Sequence, residues 1–139
     1  MSNNIILRVM AKLFIPFILL FALYVQFHGD FGPGGGFQAG VIFAAAIILY
    51  ALIFGLDEAR RAFTPRAMEI GVAAGVLLYG CTGLASMVLG ANFLDYSALA
   101  HDPVHGQHYG ILLVELGVGL TVTCAMTAIF YFFAGRATR

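Results

Sequence analysis

The sequence predicts an all-α membrane protein with four transmembrane helices, both ends cytoplasmic, and a glycine-rich outer turn joining helices one and two. Three observations lead there. Hydrophobic residues make up 61% of the 139 and charged residues only 10%, against roughly 25% charged in an average soluble domain. Four segments stay apolar over the ~20 residues that a helix needs to cross ~30 Å of hydrocarbon. The 7 Lys and Arg residues lie at the ends of these segments or in the connections between them, in the alternating pattern that cytoplasmic connections show.

Span one covers residues 5–27. Arg8 and Lys12 lie in its first turns and are expected to extend their charged ends toward headgroups. Pro16 lacks the N–H that an interior helical position uses, which predicts a kink. Basic residues before an apolar run can mark a secretory signal, but residues 20–26 contain no small-x-small cleavage site, so the segment reads as a retained span. Span two covers residues 37–56 and ends where Asp57, Glu58, Arg60 and Arg61 cannot stay in lipid. Thr64-Pro65 reads as an N-cap followed by proline at the first helical position. It opens span three, residues 66–89, with Gly90 closing the helix. Span four covers residues 110–134.

Arg8 and Lys12 precede span one, Arg60, Arg61 and Arg66 lie between spans two and three, and Arg136 and Arg139 follow span four. Connections 28–36 and 91–109 carry neither Lys nor Arg. The positive-inside rule therefore places those two connections outside and both termini inside. The intervening polar stretches are too short to fold alone, so residues 1–139 form a single membrane domain.

Composition also excludes functions. A formal net charge of zero offers no basic field for nucleic acid. Cys81 and Cys124 lie in apolar runs, where a thiol packs as a small hydrophobe. The spacing of His101, His105 and His108, with Asp102 beside them, merits a metal test, yet Pro103 and Gly106 interrupt the segment and no second ligand group exists. All four histidines fall outside the hydrocarbon, so no axial pair for a bundle haem is present. No nucleophile-base pair or phosphate loop points to an enzyme. No cofactor or metal is expected.

The most informative stretch joins spans one and two: His28-Gly29-Asp30-Phe31-Gly32-Pro33-Gly34-Gly35-Gly36-Phe37-Gln38-Ala39-Gly40. Successive glycines cost conformational entropy and mark places where a side chain will not fit, so the run implies a tightly packed or re-entrant turn, tolerated at membrane depth only when covered by protein or lining a cavity. Small pairs such as Gly36/Gly40 and Gly71/Gly75 allow close helix approach, either within the chain or against other subunits.

Ionisable groups inside spans are costly and so are candidates for function. Glu115 is the clear case. With span four opening near Gly110 it lies about 7 to 8 Å along the helix, deeper if the helix starts earlier. Two readings stay open: a proton- or cation-binding carboxylate, or a structural one bonded to a neighbouring helix. Glu69 lies near the inner interface within reach of Arg66, and Asp30 and His28 flank the glycine turn, where they could guide protons or simply be solvated.

The run from His28 to Gly40, above all Pro33-Gly34-Gly35-Gly36-Phe37-Gln38-x-Gly40, resembles the B subunit of the Mrp-type, or Mnh-type, multisubunit cation/proton antiporters of bacteria and archaea. Span four, with Tyr109-Gly110 and Glu115-Leu116-Gly117, is similar to that subunit's last helix, so the resemblance covers nearly the whole chain. It implies an accessory subunit in a bacterial cell membrane complex of seven subunit types that exchanges sodium or another monovalent cation for protons. Its partners would be the other subunits, including two large ones that resemble components of respiratory complex I. The competing reading is a self-sufficient four-span proton-coupled exporter, against which stand a first span without a carboxylate and a chain with no Trp.

Overall fold

The computed structural model describes residues 4–29, 31–32 and 34–137. Asp30 and Pro33 of the glycine stretch, and Arg139, lie outside the described residues. Helices α1 (Ile5–Phe27), α2 (Gly36–Phe54), α3 (Leu56–Ala62), α4 (Pro65–Val88) and α5 (Pro103–Ala137) follow in order, with a short 3₁₀ turn at Tyr96–Leu99. Among the described residues, α1, α2, α4 and α5 are the four helices long and apolar enough to cross a membrane. The shortest, α2, has 19 residues and so spans about 28 Å at 1.5 Å per residue.

Chain direction follows from which residues meet. Gly36 and Gly40 of α2 face Glu115 and Gly119 of α5, so these two helices run parallel. Gly71 and Gly75 of α4 face Cys124 and Thr121, so α4 is antiparallel to α5. The helices stand side by side in the order α1, α2, α5, α4, and α1 touches α5 only lightly. Both small-residue pairs seen in the sequence thus serve packing inside the chain, around α5.

With no difference in polarity between lipid tails and apolar side chains, helices here associate by close packing and hydrogen bonds. Accordingly the interior is made of small residues: Ala39, Ala44, Ala46, Ala51, Ser86 and Thr127 are buried, whereas Phe17, Phe37, Phe132 and Phe133 point outward. Thr123 Oγ1 donates to Gly40 O of α2 at 3.2 Å as well as to Gly119 O of its own helix at 2.7 Å. Cys124 is buried against Gly71 and Cys81 is exposed.

At one end, α2 stops at Gly55, whose φ of 103° lies in the region that glycine alone enters easily. The charged cluster that follows is not a loop but helix α3, with Asp57 and Glu58 in its first turn and Arg60 and Arg61 in its last, the arrangement that complements the helix dipole. Tyr131 holds α3 to α5: its hydroxyl donates to Ala59 O at 3.2 Å, and Arg60 Nη2 donates to Tyr131 O at 3.0 Å. Thr64 accepts from Ala67 N at 3.2 Å with Pro65 in the first turn, as its sequence predicts. Arg8 and Lys12 reach back to the ring of Phe54, 5.3 and 5.7 Å from its centroid. All the described Lys and Arg residues therefore gather at this end.

At the other end, Gly90 (φ 85°) donates to Met87 O at 3.0 Å and closes α4. Phe93 packs on Gly83 and Tyr96 on Gly110. Helix α5 begins at Pro103, seven residues before the expected start at Gly110. Asp102 explains why: its Oδ1 accepts from Val104 N at 3.1 Å and its Oδ2 meets His105 Nδ1 at 3.0 Å. Pro103 opens this helix instead of interrupting it, and Gly106 is buried under the 3₁₀ turn. α1 runs through Pro16 as one helix.

Candidate functional site

Glu115 lies 12 residues after Pro103, which puts it about 18 Å along α5, deeper in that helix than a start at Gly110 implies. Its level in the bundle is fixed from the other side. It faces Gly36, the first residue of α2, and lies 21 residues before Arg136, about 31 Å of helix, close to one hydrocarbon thickness. Glu115 therefore lies toward the glycine end of the bundle, level with the start of α2.

The connection between α1 and α2 covers the carboxylate. A Cβ built on Gly29 would lie 2.6 Å from Glu115 Oε2, and one on Gly35 would lie 2.8 Å from Oε1. A Cβ on Gly36 would overlap the Glu115 carbonyl, and one on Gly34 would lie 2.9 Å from Val25 O. The glycines are thus a seat for the carboxylate, which a methyl group at either Gly29 or Gly35 would push aside. Gly35 also has a φ of 118°, which an L side chain rarely adopts. Its N–H donates to Val25 O at 3.2 Å, tying the turn to the last turn of α1. Because Gly35 is the N-cap of α2, the carboxylate lies against the positive end of a helix dipole, which favours the anion.

Gln26, which the sequence reading passed over, adds the second polar group. It is 4% exposed, and its Nε2 has no hydrogen-bond partner among the described residues. Its Oε1 is directed at α5, 2.6 Å from where a Cβ on Gly119 would lie, one turn after Glu115. A buried amide donor left without an acceptor costs about 1 to 3 kcal/mol. The sequence signal was present: an amide within the apolar run of span one, two residues before His28.

The other expected residues separate. His28 is half-buried, stacked on the Tyr24 ring and tilted against that of Phe31, with ring centroids 5.1 and 6.2 Å away. Phe37 and Gln38, in the first turn of α2, are exposed; Gln38 Oε1 nevertheless lies 3.8 Å from where a Cβ on Gly35 would stand, beside the carboxylate seat, while Gly40 is buried against Gly119 O, where a Cβ would stand at 2.8 Å. Glu69 is at the arginine end, lining a cavity with Arg60 and Arg136, about 20 Å of helix from the level of Glu115. Asp30 and Pro33 lie outside the described residues. Among the described residues no group of three or more His, Cys, Asp or Glu could hold a metal ion.

The chain is similar to known proteins along nearly its full length. A family model described as a domain related to the MnhB subunit of Na+/H+ antiporter matches residues 6–128. The protein named "Putative antiporter subunit mnhB2" from Staphylococcus haemolyticus (strain JCSC1435) is 33% identical over 137 residues, covering 96% of each chain. Its namesake from Staphylococcus aureus (strain Newman) matches with the same identity and coverage. Together with four membrane-crossing helices, these matches make the chain a multi-pass protein of the bacterial cell membrane that belongs to the family of MnhB-related Na+/H+ antiporter subunits.

Proposed function

We propose that the chain is an accessory subunit of a multisubunit monovalent cation/proton antiporter, and that its Glu115 carboxylate contributes a proton- or cation-binding position on the ion route. The observation that carries the second part is the seat built for the carboxylate: Gly29 and Gly35 leave room for both its oxygens beside the positive end of α2. The carboxylate's place toward the glycine end of the bundle suits exchange with water from that side. The positive-inside rule puts the arginine end in the cytoplasm, so this end is the external one.

Membership in a complex follows the same logic. Phe37 is an exposed aromatic residue, 61% accessible, in a motif whose glycines are turned inward, and a large exposed ring at the start of a helix in such a motif suits contact with another subunit. Large complex-I-like subunits are the expected partners, with sodium and protons as the ions moved. Purification of the tagged chain from mild detergent tests this reading. Recovery of two large multi-span proteins supports it, and recovery of the chain only as a homo-oligomer refutes it.

A further inference from the structure

At the arginine end, the groove between α3, α4 and α5 contains a cavity of about 400 Å³ lined by Arg60, Glu69, Tyr131, Phe132 and Arg136. We propose that it is a binding site for an anionic phospholipid, with the phosphodiester between Arg60 and Arg136 and an acyl chain along Phe132. This inference is independent of the ion route.

Arg60 is held in place before any ligand arrives. Its Nη2 donates to Tyr131 O at 3.0 Å, its guanidinium lies 5.8 Å from the Tyr131 ring centroid, and Gly135 leaves room beside it. Its Nε is buried with no hydrogen-bond partner among the described residues. A guanidinium held in place at the cavity wall is suited to a phosphate oxygen, because the geometry is set and little side-chain freedom is lost on binding. Arg136 lines the same cavity, and no ion pair of Arg136 occurs among the described residues. Arg61 differs: it points away, 78% exposed and paired with Glu58 at 3.0 Å.

Charge and shape select the ligand. Two guanidinium groups and the Glu69 carboxylate leave one net positive charge, which a phosphodiester with an uncharged headgroup balances and a zwitterionic lipid does not. Glu69 can accept hydroxyl donors from a glycerol headgroup. The wall is polar on one side and apolar on the other, where Phe132 is 67% exposed, so an amphiphile fits better than a soluble anion. Basic pockets between membrane helices take acidic lipids in this way.

The test uses the full chain in nanodiscs holding equal amounts of phosphatidylglycerol and phosphatidylcholine, released into native mass spectrometry so that retained lipids are counted. The wild type is expected to retain phosphatidylglycerol over phosphatidylcholine by about tenfold, and Arg136→Gln to bring the ratio to near parity. Arg60→Gln should do the same, but because Arg60 also bonds to Tyr131, Arg136→Gln decides the matter if that variant fails to fold. Arg61→Gln should leave the ratio unchanged. Equal retention of the two lipids by the wild type overturns the proposal, as does an equal loss in Arg61→Gln, which would mark unspecific charge. Displacement of the lipid by millimolar inorganic phosphate also overturns it, by marking a soluble-anion site.

Discussion

Gly29→Ala separates the position of the Glu115 carboxylate from the packing of the bundle. The added Cβ would overlap both carboxylate oxygens, standing 2.6 Å from Oε2 and closer still to Oε1, whereas ordinary contact begins at 3.4 Å, so the carboxylate must retreat by more than about 0.8 Å. Gly29 is not among the glycines with positive φ, so alanine adds no backbone strain, and what it meets is the far end of a side chain. Moving that side chain off its rotamer costs about 0.5 to 1.5 kcal/mol, too little to stop assembly. Misplacing a reacting group by about 1 Å can lower a rate by up to about 100-fold. We therefore expect the variant complex to assemble at wild-type level while sodium-driven proton exchange in inverted membrane vesicles falls at least about tenfold at subsaturating sodium. Wild-type exchange by Gly29→Ala, alongside impaired exchange by Glu115→Gln, would refute the claim that the glycine connection positions this carboxylate.

Other substitutions probe the frame around it. Gly36→Ala meets the backbone carbonyl of Glu115, which cannot move aside, so α2 and α5 must separate; a loss of about 1 to 3 kcal/mol should appear as a lower melting temperature and less assembled complex. Tyr131→Phe removes the 3.2 Å bond to Ala59 O, costing about 1 kcal/mol, and should speed protease cleavage at Arg61 in α3. Gln26→Met keeps side-chain volume and removes the donor that lacks an acceptor, so thermal unfolding of the isolated chain should show no loss of stability. A clear drop there would show that the amide is satisfied inside the chain.

The parts of this structure that hydropathy controls were legible in the sequence. Four spans follow from apolar length, and the cap at Thr64-Pro65 from residue types that favour one local geometry. The close approaches at Gly36, Gly40, Gly71 and Gly75 were expected as well, though only the structure shows all four directed at α5. What escaped depends on contacts distant in sequence. The start of α5 at Pro103 comes from Asp102 accepting bonds from Val104 and His105, together with cover from Tyr96, whereas Pro103 and Gly106 taken alone look like breakers. α3 is a helix because Tyr131, 72 residues away, bonds to Ala59. The seat of Glu115 brings together Gly29, Gly35 and a residue 80 positions further on, a pairing that no local pattern encodes.

Glu115→Gln in the intact complex separates a carboxylate on the proposed ion route from one that only joins helices. Glutamine keeps the shape and hydrogen-bonding reach of the side chain but has no charge and binds no proton in this range. A role on the ion route gives normal amounts of assembled complex with sodium-driven proton exchange reduced by about tenfold or more, partly restored by Glu115→Asp. A Glu115→Gln complex that assembles and exchanges like the wild type would contradict it, and one that fails to assemble at all would assign the carboxylate to structure.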